Sequence, residues 1–399
     1  MGPRGRRGGG GGGVTAGNGY QALVDEVCAL LGSPVTLEGR DFALIAYGAH
    51  DSADDPVMDP VRTRSILSRR STAAVRSYFE GFGIARAAGP VRIPPAPAAG
   101  VRTGRLCLPV RHAGVVHGYI WLLDDGATAP DDPRLARAAA IADRIGALLA
   151  AEARAGARLG ALLRAALASP AGERALAAAL GPVAEGPLTL VAVTPWPGEQ
   201  DPPAGLAGVL ALAAPVLPAD AGDGADGALA VLVRPGGARA LAARVVSGRN
   251  GGPAAGVGGP REGVGGLADC WREAVAAARA AGAEDRFGGV AEWAGLGPYR
   301  LLTALASVPA AAARPDPAVA RLLTPGHREL ARTAEAFLDH AGRAARTAAA
   351  LGIHRQTLYY RIDRIERLTG LDLADGEDRL LLHMALKTAR LAGHGGDAG

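Results

Sequence analysis

The chain has 399 residues, of which 49% are hydrophobic and only 4% aromatic, and it carries a net charge of +4 with three cysteines. That length exceeds one ordinary core and asks for two or three domains, while the small net charge excludes a polycation that would coat nucleic acid by charge alone. Cys28, Cys107 and Cys270 are far apart, odd in number and free of any CxxC or Cys/His grouping, which argues against a disulfide framework and a zinc site and for a reducing, cytoplasmic setting.

Arginine is used almost to the exclusion of lysine, and alanine and glycine abound, a bias that reads as GC-rich coding and not as chemistry. Residues 1–18 are basic and glycine-rich with no apolar segment of a signal peptide, and no later run of about 18 apolar residues follows, so the expectation is a disordered tail, without secretion or membrane spanning.

From Tyr20 the sequence becomes patterned. Leu23, Val27, Leu30 and Leu31 recur at helical spacing, "DFALIAYG" reads as a buried strand, and a helix is expected across Val61–Tyr78. After a proline-rich loop, "GRLCLPVRH" and "VVHGYIWLLDD" flank Ala113-Gly114 as an antiparallel hairpin. In its order of elements, this segment (19–150) resembles a GAF or PAS-like ligand-sensing domain. Asp131 and Asp132 before Pro133 start a long helical stretch to Leu180, with a break expected at "ASPAGE". Its first part serves either as a connecting helix paired with a second copy or as a helix packed on its own domain, and 151–186 is assigned as a helical linker.

The segment 187–300 alternates again. Expected are a strand at "LTLVAVTP", a helix over Ala204–Ala213, a strand at "GALAVLVRP", a helix after Gly236, a short strand near "AAGVGG", and a helix over Leu267–Ala281, together an α/β domain. "GVGGPREGVGG" lacks the Gly-Lys-Ser/Thr ending of a P-loop and is assigned as a flexible loop. His112 and His117 do not combine with Cys107 into a metal site, because an odd separation on alternating strands turns side chains to opposite faces. No Ser/His/Asp order or paired carboxylates stand out, so neither a metal, a cofactor nor a catalytic centre is assigned. Trp121, Trp271 and Trp293 read as core.

After a linker (301–323), a helical domain (324–395) begins. Thr324 and Pro325 start a helix with Leu330, Ala334, Phe337 and Leu338 on one face, stopped by Gly342. Then come "RAARTAAAL", the turn "GIH", and a helix from Arg355 to Thr369, the outline of a helix-turn-helix. Leu358, Ile362 and Ile365 form its apolar stripe, leaving Arg, Gln, Thr and Tyr side chains on the other side. These types grip phosphates and read base edges: Arg pairs with guanine, Gln with adenine, and Thr and Tyr hydroxyls reach phosphate oxygens. Between 340 and 370, six arginines face only Asp363 and Glu366, so the local excess of four equals that of the whole chain. A purely solvated charged face is the plain alternative; the turn spacing, the basic excess and the stop at Thr369-Gly370 favour the reader.

"TAAALGIHRQTLYYRIDRIERLTGLDL" followed by "DRLLLHMALKTARL" resembles the C-terminal helix-turn-helix domain of the PucR and CdaR group of bacterial transcriptional regulators, carried by His354, Arg355, Thr357, Leu358, Tyr360 and Arg361 and then Leu368-Thr369-Gly370. The resemblance implies a DNA-binding role, a variable N-terminal sensor and a middle domain like a degenerate nucleotide cyclase (GGDEF-like). In "DGADGALAVLVRP", Ala228 and Ala230 stand where the acid motif of a working cyclase would lie, which implies a structural or regulatory middle domain, not a catalytic one. The expected fold class is multidomain α+β: a GAF/PAS-like sensor, an α/β cyclase-like middle domain and an all-α helix-turn-helix domain. Expected DNA-binding residues are Arg343, Thr347, His354, Arg355, Gln356, Thr357, Tyr359, Tyr360, Arg361 and Arg364. Expected partners are double-stranded DNA, a small-molecule effector and a second copy of the chain as homodimer or higher oligomer, with no membrane. The competing functions are a cyclase or phosphodiesterase with a helical appendage, and a signalling adaptor that binds protein through the same helices.

Overall fold

The computed structural model describes residues 13–48, 60–69, 71–124, 126–197, 206–217, 227–247, 252–306 and 316–391. The chain forms two compact units, Met1–Gly156 and Ala157–Gly399.

In the first unit, α1 (Gly13–Leu31) starts inside the stretch expected to be disordered, and 1–12 lie outside the described residues. It is followed by β1 (Val35–Gly39), β2 (Leu44–Tyr47), α2 (Pro60–Ser68), α3 (Ala73–Glu80), β3 (Val91–Ile93), β4 (Arg105–His112) and β5 (Val115–Leu123). The single helix expected over Val61–Tyr78 is two, because Thr72 caps a new start: its Oγ1 accepts from the Val75 N–H at 3.3 Å. The five strands form an antiparallel sheet in the order β2-β1-β5-β4-β3, and the hairpin of β4 and β5 turns at Ala113-Gly114.

Strand alternation gives this sheet two different faces. Leu37, Leu106, Leu108, Ile120 and Leu122 pack with Val24 and Val27 of α1 and with Ile141 and Ile145 of α4 (Pro133–Ala168). Cys107, Tyr119 and Trp121 point the other way, into a cluster with Phe42, Phe79 and Ile84. Glu38, only 3% exposed, lies on this aromatic side and accepts from Trp121 Nε1 at 3.1 Å and Ser71 Oγ at 3.2 Å. Buried Arg105 sits 5.5 Å from the Phe79 ring centroid.

The helix α4 continues into the second unit's core, where Leu163 and Ala166 are buried. The expected break falls at Ser169, whose Oγ accepts from Gly172 N at 3.2 Å and caps α5 (Pro170–Leu180). Next come β6 (Pro187–Trp196), β7 (Val209–Val216), β8 (Gly227–Val233), α6 (Pro235–Val246), β9 (Ala254–Val257), β10 (Arg261–Glu262), α7 (Leu267–Ala283) and β11 (Val290–Glu292). The sheet runs β11-β9-β6-β8-β7, with β10 also on β6, and all pairs are antiparallel except β9 with β11.

The helix expected over Ala204–Ala213 is instead partly strand β7: its alternating Ala211 and Ala213 turn inward and its backbone pairs with β8, whose seven residues are all buried. A fully buried strand needs backbone partners on both sides, and this demand overrides alanine's helical preference. The segment around "GGPREGVGG" is likewise tied down and not free: Gly258 N donates to Leu190 O at 3.0 Å, Gly259 N to Glu273 Oε2 at 2.8 Å, and Arg261 pairs with Glu273 at 2.9 Å. On one sheet face Leu190, Ala192, Ala230 and Leu232 meet Trp271, Ala274 and Ala278 of α7; on the other Val191, Val193, Leu229 and Val231 meet Leu241 and Val245 of α6. The α7 backbone lies directly on β9: a Cβ at Gly256 would stand 2.0 Å from Ala274 O, so only glycine fits.

The chain ends in helices: α8 (Tyr299–Ala306), the short α9 (Pro317–Ala320), α10 (Arg328–Asp339), α11 (Ala344–Leu351), α12 (Arg355–Thr369) and α13 (Gly376–Leu391). Their core joins Leu330, Ala334, Phe337, Leu338, Ile365, Leu382 and Leu386 to Val319 and Leu322. Among the described residues, no helix is long and apolar enough to cross a membrane, and no His/Cys/Asp/Glu group converges to hold a metal.

Glu38 generates a prediction. Burial pushes its carboxyl up from 4.5 to about 7, against the opposing pull of Ser65, Ser71, Arg105 and Trp121. The folded state therefore keeps the proton to near pH 7 while the unfolded chain releases it near 4.5, so the first unit loses stability as pH rises through that window and levels off above it. We expect Glu38→Gln, which keeps an acceptor for Trp121, to remove this slope in urea unfolding between pH 5 and 8; an unchanged slope contradicts the assignment.

Candidate nucleic-acid interface

The turn between α11 and α12 is three residues long and its geometry follows from their types. Gly352 closes α11 in the left-handed region at φ +63°, and Ile353 N donates back to Ala348 O at 3.0 Å, the reciprocal bonding of a Schellman stop. His354 then starts α12 from extended backbone, its Nδ1 accepting from the Gln356 N–H at 3.3 Å as the N-cap. Gly370, at φ +76°, ends the helix, and Thr369 Oγ1 donates to Ile365 O at 2.8 Å.

Leu358 and Ile365 of α12 are fully buried, and Ile362 and Leu368 pack beside them. The opposite side carries exposed Arg355, Gln356, Thr357, Tyr359 and Tyr360, with Arg364 one turn on; the two tyrosines are 60% and 62% exposed. Exposed aromatic rings of that size, beside cations, are unusual on a surface that meets only water. Arg343 caps the start of α11, exposed, and Arg346 is exposed on the same helix. Arg343, Arg346, Arg355 and Arg364 make no ion pair among the described residues, whereas Arg367 is engaged with Asp363 on its own helix. The start of α12 adds its positive dipole end to this surface.

Two of the expected contact residues are elsewhere. Thr347 has no exposed surface, and its Oγ1 donates to Arg343 O at 3.1 Å, so it holds the first turn of α11 in the core. Arg361 reaches inward to α10, bonding Thr333 Oγ1 at 3.3 Å and pairing with Glu329, which makes it a strut between helices. The remaining eight lie on one exposed side of α11 and α12 or at the turn between them.

Residues 330–388 match the PucR C-terminal helix-turn-helix domain. The match is confined to this C-terminal segment. Over 58 residues the chain is 52% identical to the carbohydrate diacid regulator of Escherichia coli (strain K12), a stretch that is 14% of this chain and 15% of that one. Over 49 residues it is 55% identical to the transcriptional activator PmfR of Paenarthrobacter nicotinovorans, 12% of this chain and 10% of the relative. The chain thus spans only a small part of the curated relatives it matches. The crystal structure of a regulator of polyketide synthase expression from Bifidobacterium adolescentis covers 54% of this chain and 85% of its own at 20% identity, with a TM-score of 0.23, a superposition too poor to bear on the fold.

Two stability tests separate struts and caps from readers in the PucR domain. His354→Ala should cost about 1 kcal/mol in urea unfolding, as loss of an N-cap does, with His354→Asn recovering most of it. Arg361→Ala should lower the unfolding midpoint yet leave the salt dependence of DNA binding unchanged; a change of one phosphate's worth in that slope returns Arg361 to the contact set.

Proposed function

We propose that the chain is a cytoplasmic, sequence-specific DNA-binding transcriptional regulator whose C-terminal domain reads the major groove of double-stranded DNA. The observation that carries this is the exposed Arg355–Tyr360 side of a capped second helix whose other side is wholly committed to the core. Arg355, Gln356, Thr357 and Tyr360 contact bases or the groove wall, and Arg343, His354, Tyr359 and Arg364 grip phosphates. One helix-turn-helix reaches few base pairs, so the working species is a homodimer or higher homo-oligomer on paired half-sites.

The first unit, in this reading, is a GAF-like sensor of a small-molecule signal. Its support is the buried polar centre of Glu38, Arg105 and Trp121 within an aromatic cluster, a kind of interior that costs stability and that proteins retain at sites of function. The middle α/β domain is GGDEF-like and regulatory: Ala228 and Ala230 are both fully buried within β8, and neither offers a carboxylate to hold a metal.

The reading is tested by binding to the chain's own promoter region at fixed salt. Arg355→Ala with Gln356→Ala should weaken specific binding by about 1–3 kcal/mol per lost base contact and relax sequence preference. Arg364→Ala should weaken all sequences alike and lower the salt slope by about one phosphate. Unchanged affinity and preference in the double variant sink the reader assignment.

A further inference from the structure

Lys387 is the single lysine of the chain, in a sequence that uses arginine for nearly all of its 43 basic side chains. It lies on α13, 7% exposed, with three carboxylates around its ammonium: Glu335 Oε1 at 2.7 Å, Asp339 Oδ2 at 3.2 Å and Glu284 Oε2 at 3.4 Å. Glu335 and Asp339 belong to α10 of the DNA-reading domain, but Glu284 caps the C-terminus of α7 in the α/β domain and is itself 5% exposed. Arg390 repeats the link, reaching Glu284 Oε1 at 3.4 Å and pairing with Glu335, and His383 Nε2 lies 2.8 Å from Asp339 Oδ1.

Burial alone would lower the Lys387 ammonium, but contact with Glu335 and the charges of Glu284 and Asp339 raise it well above the usual lysine range. Burial alone would raise the Asp339 carboxyl, but His383 and Lys387 hold it down to about 2. Tyr299, buried beside Glu284 and bonded to it, is pushed up to about 12. Lys387 and Asp339 are thus held in their charged forms, and an ammonium with three directions of donation suits three carboxylates where a planar guanidinium would not. Apolar contact frames it, with Met384 and Leu391 of α13 packed on Ala277, Ala281, Tyr299 and Leu302.

We propose that Glu284 and Lys387 form a coupling latch that docks the DNA-reading domain on the α/β domain, so that the state of that domain is transmitted to α12. Buried ion networks add little net stability but penalise every other arrangement, because separation strands uncompensated charge. The latch is no autoinhibitor: with it closed, Arg355, Gln356, Tyr359 and Tyr360 remain exposed. Its effect is to preorganise, sparing binding the entropy of ordering a tethered reader. The proposal rests on the DNA-reading function above, and its first arm is independent of DNA.

Because Lys387 is the one ε-amine, an N-hydroxysuccinimide ester reports on the latch by peptide mass mapping of the full chain. Lys387 should label slowly in the native chain and faster in Glu284→Gln and, more mildly, in Tyr299→Phe, with Glu292→Gln at an exposed ion pair unchanged. The same two variants should lose about tenfold in promoter affinity, a typical inter-site coupling, with salt slope and sequence preference intact. Rapid labelling of native Lys387, or freed Lys387 with undiminished DNA affinity in both variants, overturns the latch. A protected Lys387 in a chain that binds no promoter fragment overturns the coupling through the DNA reading, and leaves docking as a separate fact.

Discussion

Leu358 and Ile365 have no exposed surface, and their burial fixes the rotation of α12 about its axis. At 3.6 residues per turn, placing these two inside forces positions 355, 356, 359, 360 and 364 outside. The exposed basic and aromatic side of α12 follows from that rotation. The Gly352 stop and the His354 cap set where the helix begins, and Arg361, midway between the faces, ties it to α10 through Glu329 and Thr333. The basic surface is therefore held by the core beneath it and does not depend on DNA to acquire its shape.

The two sheets illustrate opposite uses of a buried face. In the α/β domain β8 is buried and apolar on both sides, and the turn after β9 is bonded to β6 through Leu190 O and Thr189 Oγ1. The N-terminal sheet instead spends one face on an apolar seam with α1 and α4 and places Glu38, Arg105 and Trp121 on the other. A buried carboxyl is costly unless its hydrogen bonds are met, and Trp121 and Ser71 meet them.

Local pattern carried the sequence a long way where the structure itself is local. The β4/β5 hairpin, the break at Ser169 and the helices around Gly352 all rest on residues within a few positions of each other. The alanine-rich run of strand β7 fits a helix as well as a strand, and only the open edge of β8 decides between them. Thr347 and Arg361 have the right chemistry for DNA, but Thr347 is buried and bonds back to Arg343 O on its own helix, and Arg361 is drawn to α10, which lies in a separate stretch of chain. The role of Lys387 is hidden from local pattern for the same reason: its partner Glu284 is 103 residues away, and the one signal in the sequence is a lone lysine in a chain that otherwise dispenses with them.

The order of synthesis gives that cluster another meaning. Glu284 and its α/β domain emerge before α13, so the acidic side of the cluster exists before any cation can compensate it. A chain halted short of Lys387 would carry Glu284 and Glu335 with neither Lys387 nor Arg390 to balance them, and could not close the seam between α7 and α13. That seam therefore closes only once α13 has been made, and α12, made earlier, gains its settled base last.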